Sequence, residues 1–432
     1  MRVYKPSGIK WLGEIPKHWE VTKFKYFYRS NMGETILTQD LETDGIPVYS
    51  ATEEDKFFGK IKNPVNILNV NDFVIPARGT IGAIKIVKEK STCTQTTIFS
   101  KQFKDINPYY VYYFLLGYRK FLFEFIQTAI PQITISQVNE NPIILPPLQE
   151  QKEIAEFLDK KCEKIQNYIN KKQKLITLLQ EKKQALINEA VCGRVACHTE
   201  RSEVSTTAYK PSGIEYLGLI PHHWEVKKLK ILFSLGNGLN ITKQDFVSYG
   251  IPCVSYGEIH SKYPCRLDTS IHKLPYVSET YLADKPQSLL TKGDFVFADT
   301  SEDIEGSGNF TSIQSYVPVF AGYHTIILKP KTSEINDLYF SFLFDSFGIR
   351  SQIRKEVCGV KVFSITKSIL KEIQCLLPPL QEQKQIANFL DKKCEKINSV
   401  IEKTKKQIEL IKEYKNTLIN EAVCGRINLE RK

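Results

Sequence analysis

Carboxylates at Asp299, Glu302, Asp303 and Glu305 lie close enough along the chain to hold a divalent cation, but they are spread over a Ser/Gly-rich stretch and read as a solvated turn. His222-His223 could offer two imidazoles to a metal. Only His223 has a counterpart elsewhere, His18 in Lys17-His18-Trp19, so a packing or capping histidine is the plainer reading. Asn107-Pro108-Tyr109-Tyr110 has the outline of the Asn-Pro-Pro-Tyr motif used to methylate amino groups. It lacks the second proline, no glycine-rich cofactor loop precedes it, and it reads as a helix start. The phosphate loop G-x-x-x-x-G-K-[ST], the zinc-protease His-Glu-x-x-His and the nucleophile elbow G-x-S-x-G do not occur in the sequence. Catalysis by those routes is excluded, and neither metal nor cofactor is expected in this chain.

The ten cysteines include no C-x-x-C pair, and four sit in Lys/Glu-rich helical sequence, so reduced structural thiols are expected. The 432 residues, 42% hydrophobic and 25% charged, have ordinary globular composition with room for several domains. A formal charge of +11 makes a polyanion a reasonable partner without establishing one. No run approaches the ~18 apolar residues of a membrane span, and Met1-Arg2-Val3-Tyr4-Lys5-Pro6 lacks the apolar stretch of a signal peptide, so a cytoplasmic location away from membranes is expected.

The chain is written twice. Residues 4–21, YKPSGIKWLGEIPKHWEV, return at 209–226 as YKPSGIEYLGLIPHHWEV. Residues 145–165, LPPLQEQKEIAEFLDKKCEKI, return at 377–397 with changes only at Glu153/Gln385 and Glu156/Asn388, and LINEAVCGR at 186–194 returns at 418–426. The first pair is offset by 205 positions and the other two by 232, so each half keeps its ends and changes its middle. The middles, 22–144 and 227–376, share little identity. The period is too long for a solenoid unit and marks a duplicated domain pair.

After the prolines at 146–147, apolar residues recur at Ile154, Leu158, Ile165, Ile169, Ile176, Leu179 and Ile187 without Gly or Pro until Gly193. The second copy places Ile386, Leu390, Ile397, Ile401, Ile408, Ile411 and Ile419 at the same positions, with Gly425 as its stop. Such a narrow stripe on a helix of about 40 residues needs a partner helix, and the other copy is the nearest candidate. The period alone allows parallel or antiparallel pairing. At ~1.5 Å per residue the helix spans about 60 Å. A plain coiled-coil spacer would also show the stripe, but two copies of constant length favour a measuring strut.

Each middle opens with strand-like runs, 45–50 and 250–255, then 71–82 and 292–300, then 96–99 and 324–328. An aromatic-rich helix follows, Tyr109–Phe125 in the first and Leu338–Ile353 in the second. The predicted fold class is α+β, with two mixed, mostly β domains separated by two long helices that pair as an antiparallel coiled coil, the halves being related by an internal pseudo-two-fold repeat. The expected boundaries are a first domain at 1–144, its helix at 145–198, a polar linker at 199–208, a second domain at 209–376 and its helix at 377–432. Charge is diffuse: 14 Lys+Arg face 12 Asp+Glu in 22–144, and 17 face 15 in 227–376.

The duplicated P-S-G-I-x-x-L-G-x-I-P-x-H-W-E-V, the duplicated P-P-L-x-E-Q-x-x-I-A-x-F-L-D before a long helix, and the divergent middles together resemble the DNA-specificity subunit of Type I restriction–modification systems. Arg78-Gly-Thr-Ile-Gly82 also resembles a common stretch of that family's recognition domains, from which Asp299-Thr300-Ser301 departs. The resemblance implies a non-catalytic subunit whose two target recognition domains each read half of a split site in double-stranded DNA. Its paired helices, antiparallel if the half-sites are related by a two-fold, would set the distance between them. It also implies two methylation subunits using S-adenosylmethionine and, through them, restriction subunits using ATP and Mg2+. The expected DNA contacts are Arg78, Thr80, Lys85, Gln95, Gln132, Thr134 and Ser136 in the first domain. In the second they are Tyr256, Thr300, Ser301, Tyr323, His324, Lys361 and Ser364. Two other classes stay open: a scaffold with two protein-binding heads, and a fused methyltransferase or nuclease.

Overall fold

The computed structural model describes all residues except 1–2, 53–55, 125–130, 196–207, 215–216, 263–264, 358–361 and 428–432. The chain forms two compact units, Met1–Lys174 with Thr404–Lys432, and Leu175–Lys403. These do not coincide with a linear succession of segments, because each unit takes the start of one long helix and the end of the other. The expected linker at 199–208 lies, apart from Ala208, outside the described residues.

In the first unit a short ribbon pairs Tyr4–Pro6 with Glu14–Pro16, and Glu20–Lys23 pairs antiparallel with Pro142–Leu145. Between those ends the variable segment folds into an antiparallel sheet in the order Tyr28–Met32, Thr97–Gln102, Phe73–Pro76, Lys85–Ile86. A smaller sheet sets Ile46–Tyr49 between Gly59–Ile61 and Thr92–Cys93, the last of these parallel to it. Every side chain of Phe73–Pro76 is buried, which explains why that run reads as continuously apolar instead of alternating.

The second unit repeats the plan with Tyr209–Pro211 against Leu219–Pro221 and Glu225–Lys228 against Gln374–Leu377. Its main sheet has five strands, in the order Phe233–Asn237, Thr325–Pro330, Phe295–Ala298, Phe310–Ile313, Cys265–Leu267. Val254 and Phe295 lie 41 positions apart where their counterparts Tyr49 and Phe73 lie 24 apart. The added length holds the helix Tyr256–Ser261 and the edge strand Cys265–Leu267.

The aromatic-rich helices are shorter than the sequence pattern suggests. Pro108–Gly117 is separated by Tyr118 from a single turn, Arg119–Leu122, and Asp337–Asp345 is separated by Ser346 from Phe347–Glu356. Asn107 caps the first by accepting the Tyr110 N–H at 2.9 Å, with Pro108 at the first helical position. The Asn-Pro-Tyr-Tyr run is therefore a helix start, as its composition indicates.

The long helices cover Leu148–Val191 and Leu380–Val423. They run antiparallel in each unit. In the first, Lys415 Nζ donates to Gln166 Oε1 at 3.4 Å; in the second, Lys183 Nζ donates to Asn398 Oδ1 at 3.1 Å. The two contacts are images of each other under the 232-residue repeat, since 166 maps to 398 and 183 to 415. One register thus serves both ends. The predicted stripe faces inward along the whole length: Ile154, Leu158, Ile165, Ile169, Ile187, Ile386, Leu390, Ile401, Ile408 and Ile419 are buried, and Ile176, Leu179, Ile397 and Ile411 are half-buried. Thr404 is buried among them, which polarity alone did not suggest.

Both helices stop at a glycine in the left-handed region, Gly193 at φ +71° and Gly425 at φ +69°. Each is also a point of close approach. A Cβ on Gly425 would lie 2.6 Å from Pro16 and 2.8 Å from the Trp19 ring, and one on Gly193 would lie 2.6 Å from Pro221 and 3.1 Å from Trp224.

Candidate nucleic-acid interface

The repeated motifs are joints between heads and helices. In the first unit Trp19 Nε1 donates to Glu150 Oε2 at 3.2 Å while His18 Nε2 and Glu150 Oε1 lie 2.6 Å apart. In the second, Trp224 Nε1 donates to Glu382 Oε2 at 2.9 Å and His223 Nε2 lies 2.6 Å from Glu382 Oε1. The duplicated histidine is thus a structural partner of a helix-start carboxylate, which also favours the positive end of the helix dipole. The adjacent glutamine, almost fully buried, closes the joint: Gln151 accepts the Asn107 N–H and donates to Pro146 O, and Gln383 accepts the Asn336 N–H and donates to Pro378 O.

Helix ends are gripped as firmly as helix starts. The Tyr110 hydroxyl, fully buried, reaches the carbonyls of Ile144 and Val423 at 3.1 and 3.2 Å, and the Tyr4 hydroxyl donates to Gly425 O. The Tyr209 hydroxyl donates to Gly193 O in the equivalent place. At the edge of each head one carboxylate binds two lysines, Glu140 with Lys23 and Lys25, and Glu372 with Lys228 and Lys230. These hydrogen bonds hold each carboxyl down at about 2.

Of the candidate contact residues of the first domain, Arg78, Thr80 and Gln95 sit on loops, Gln132, Thr134 and Ser136 at the entry to the short helix Ile135–Glu140, and Lys85 in the short strand Lys85–Ile86. Arg78 is exposed and its Nε donates to Gln132 Oε1 at 3.1 Å. The loop beneath is anchored by Thr80 Oγ1 on Ala51 O at 3.0 Å and by Arg119, whose Nε and Nη2 reach Ile81 O at 3.1 and 2.9 Å. Gly82, at φ +70°, rests on Phe123 with no space for a side chain. Gln95 is exposed and accepts from Thr35 at 2.9 Å. Thr134 caps the short helix Ile135–Glu140, and Ser136 is exposed on its first turn. Lys85 is buried, donating to Ser50 O at 3.1 Å and Thr52 Oγ1 at 2.9 Å; its ammonium is committed to the loop below.

In the second domain Tyr256, Thr300, Ser301 and His324 line one recess of about 830 Å³, together with His260 and Glu302. Tyr256 and His324 also wall a neighbouring recess of about 850 Å³ that Tyr323 enters. The three rings contact edge to face, Tyr256 lying 5.5 Å from Tyr323 and 5.4 Å from His324. Ser364 is exposed and pairs with Thr300 in a two-residue ladder. Lys361 lies outside the described residues. The Asp299 carboxylate meets His324 Nδ1 at 3.1 Å, and Asp303 Oδ1 accepts the Gly306 N–H, so these two acids serve the turn.

A network that sequence reasoning missed supports Thr300. Arg350 donates to Asn309 Oδ1, Asn309 donates to His260 Nδ1, and His260 Nε2 lies 2.7 Å from Thr300 O. No spacing signal could have found it, since its members come from three separate elements. Backbone bonds align the two domains at the tip: Ile133 N–H binds Ala77 O as Ile365 N–H binds Asp299 O. Arg78 therefore stands where Thr300 stands, and Gln132 where Ser364 stands.

The described cysteines form no disulfide. Burial pushes the Cys93, Cys253 and Cys375 thiols up to about 12, so they are packing residues rather than nucleophiles. Among the described residues no three His, Cys, Asp or Glu are grouped to hold a metal, and no helix is long and apolar enough to cross a membrane.

Each unit thus joins a dissimilar, loop-rich head to the helices through the same set of contacts, the mark of a duplicated scaffold with divergent heads. The chain belongs to the Type I restriction modification DNA specificity domain family, which it matches over residues 16–180 and 221–410. It is 26% identical to the Type I restriction enzyme MjaVIII specificity subunit of Methanocaldococcus jannaschii, covering 100% of this chain and 98% of that one. Among solved structures, a chain of a type I R-M system superposes with a TM-score of 0.66 at 14% identity, covering 96% of this chain and 99% of that one. The HsdS subunit from Thermoanaerobacter tengcongensis gives a TM-score of 0.48 at 14% identity, with 96% and 98% covered.

Proposed function

We propose that each head reads one half of a split target in double-stranded DNA and that the paired helices fix the number of unread base pairs between the halves. The observation that carries this is the coexistence of identical joints with divergent loops: the Trp–Glu, Gln–Asn and Tyr–carbonyl contacts recur in both units, while Arg78 and Gln132 give way to Thr300 and Ser364. Phosphate contacts would place the heads on the duplex and a few side chains would read base edges. Charge within each variable segment is nearly balanced, so much of the phosphate affinity comes from the assembled complex.

The chain carries no chemistry of its own in this reading. Methylation subunits would bring S-adenosylmethionine, and restriction subunits reached through them would bring ATP and Mg2+, all in the cytoplasm. Two copies of the methylation subunit fit four of the apolar residues exposed on the helices: Tyr168 and Leu410 in the first unit occupy the repeat-equivalent positions of Val400 and Leu178 in the second. Two like patches suit two like partners.

Exchange of residues 22–144 for the variable segment of another family member tests the division of labour. With the methylation subunits present, the hybrid is expected to methylate a target with one new half-site, the old second half-site and the old spacing. A change in both half-sites would show that the heads do not read independently.

A further inference from the structure

We propose that Arg78 and Gln132 form one preassembled element that reads a guanine from the major groove, and that this preference is confined to the half-site of the first domain. The inference rests on the DNA-reading role above and names the base that one of its residues takes.

Arg78 is held in place before any ligand arrives. Its N–H and that of Ala77 both donate to Thr96 O, at 3.3 and 2.9 Å, and the Ile133 N–H on Ala77 O sets Gln132 beside it. The Nε bond to Gln132 at 3.1 Å then fixes the plane of the guanidinium. Among the described residues its two terminal nitrogens take no hydrogen-bond partner, and both side chains are exposed. A planar donor pair with its orientation already set matches the O6 and N7 acceptors of guanine, which lie side by side in the major groove. The ordering cost of a long side chain is then met in the free protein, which sharpens selectivity.

The surroundings argue against a simple phosphate contact. Thr80, Gln95, Thr96 and Gln132 are neutral, and the nearby ammonium of Lys85 is buried on Ser50 O and Thr52 Oγ1. Phosphate-binding surfaces gather several free cations, whereas the described residues of this loop pair offer a single arginine beside an amide. At the equivalent tip of the second domain Thr300 and Ser364 are short hydroxyl residues, and neither can present two parallel N–H donors.

The test uses the chain assembled with its methylation subunits and sequence-resolved methylation of a random DNA library. Arg78→Ala is expected to remove the preference for guanine at one position of one half-site by roughly ten- to a hundredfold, with the other half-site and the spacing unchanged. Gln132→Ala, which only frees the guanidinium, is expected to weaken the same position by a smaller factor. The intact second half-site reports that either variant folds and assembles. A uniform fall in methylation with the guanine preference retained, an unaltered motif, or relaxation at a base other than guanine would overturn the inference. A wild-type target with no split motif would instead remove the DNA-reading role on which it depends.

Discussion

Trp19→Ala is expected to lower the stability of the first unit by about 3–5 kcal/mol, the range for truncating a fully buried large aromatic residue. The indole is 0% exposed and sits at a three-way joint. Its nitrogen donates to Glu150 at the start of the first long helix, its ring lies against Gly425 at the end of the second, and Phe24, Tyr110 and Ile144 share its core cluster. Truncation leaves a cavity in that core that cannot collapse without moving a helix end. Glu150 keeps His18 and part of its solvent access, so most of the cost is lost packing rather than an orphaned charge. Urea unfolding followed by circular dichroism checks this, with Tyr26→Ala as a control on an exposed aromatic that should cost no more than about 0.5 kcal/mol. Equal costs for the two variants would mean that Trp19 is not the keystone of the joint.

Removing residues 173–176 from the first long helix is expected to change the number of unread base pairs and leave both half-sites intact. Four residues amount to about 6 Å of helix, close to two base pairs at ~3.4 Å each. They also amount to slightly more than one turn, so the apolar stripe returns to nearly the same face and Ile187 can still pack. The joints at Glu150 and Gly193 lie well outside the deletion and keep their partners. Methylation mapping of the variant complex should therefore show the same two blocks with the spacing altered by one or two base pairs. Unchanged spacing, or altered half-sites, would contradict the role given to the helices.

Much of this architecture is legible in the residues. The stripe from Ile154 to Ile187, the stops at Gly193 and Gly425 and the Asn107 cap all follow from local physics that one segment expresses by itself. The sharing of each unit between two helices was not legible, for a definite reason. The tails 186–194 and 418–426 are identical, so nothing in their own sequence says which head each should join. The exchange follows from the antiparallel pairing expected of the two helices, seen in Lys415 on Gln166 and Lys183 on Asn398, and not from the tails themselves.

Individual contact residues were harder still. Lys85 looks like a free base from its sequence position, yet two loop oxygens and the Tyr49 ring claim its ammonium. Thr134 looks like an exposed hydroxyl on a turn, yet it caps a helix, and Thr366 does the same in the second domain. Polar residues near strand ends serve the loop or the ligand according to tertiary partners, which spacing does not encode. Arg78 differs because its anchors lie in the backbone and in Gln132, and among the described residues its terminal nitrogens take no partner.

The most direct measurement is methylation of a random duplex library by the chain assembled with its methylation subunits. Two short specific blocks separated by a run of unread bases of constant length are predicted. A single uninterrupted motif, or methylation without sequence preference, would contradict the reading of two heads on a fixed helical spacer.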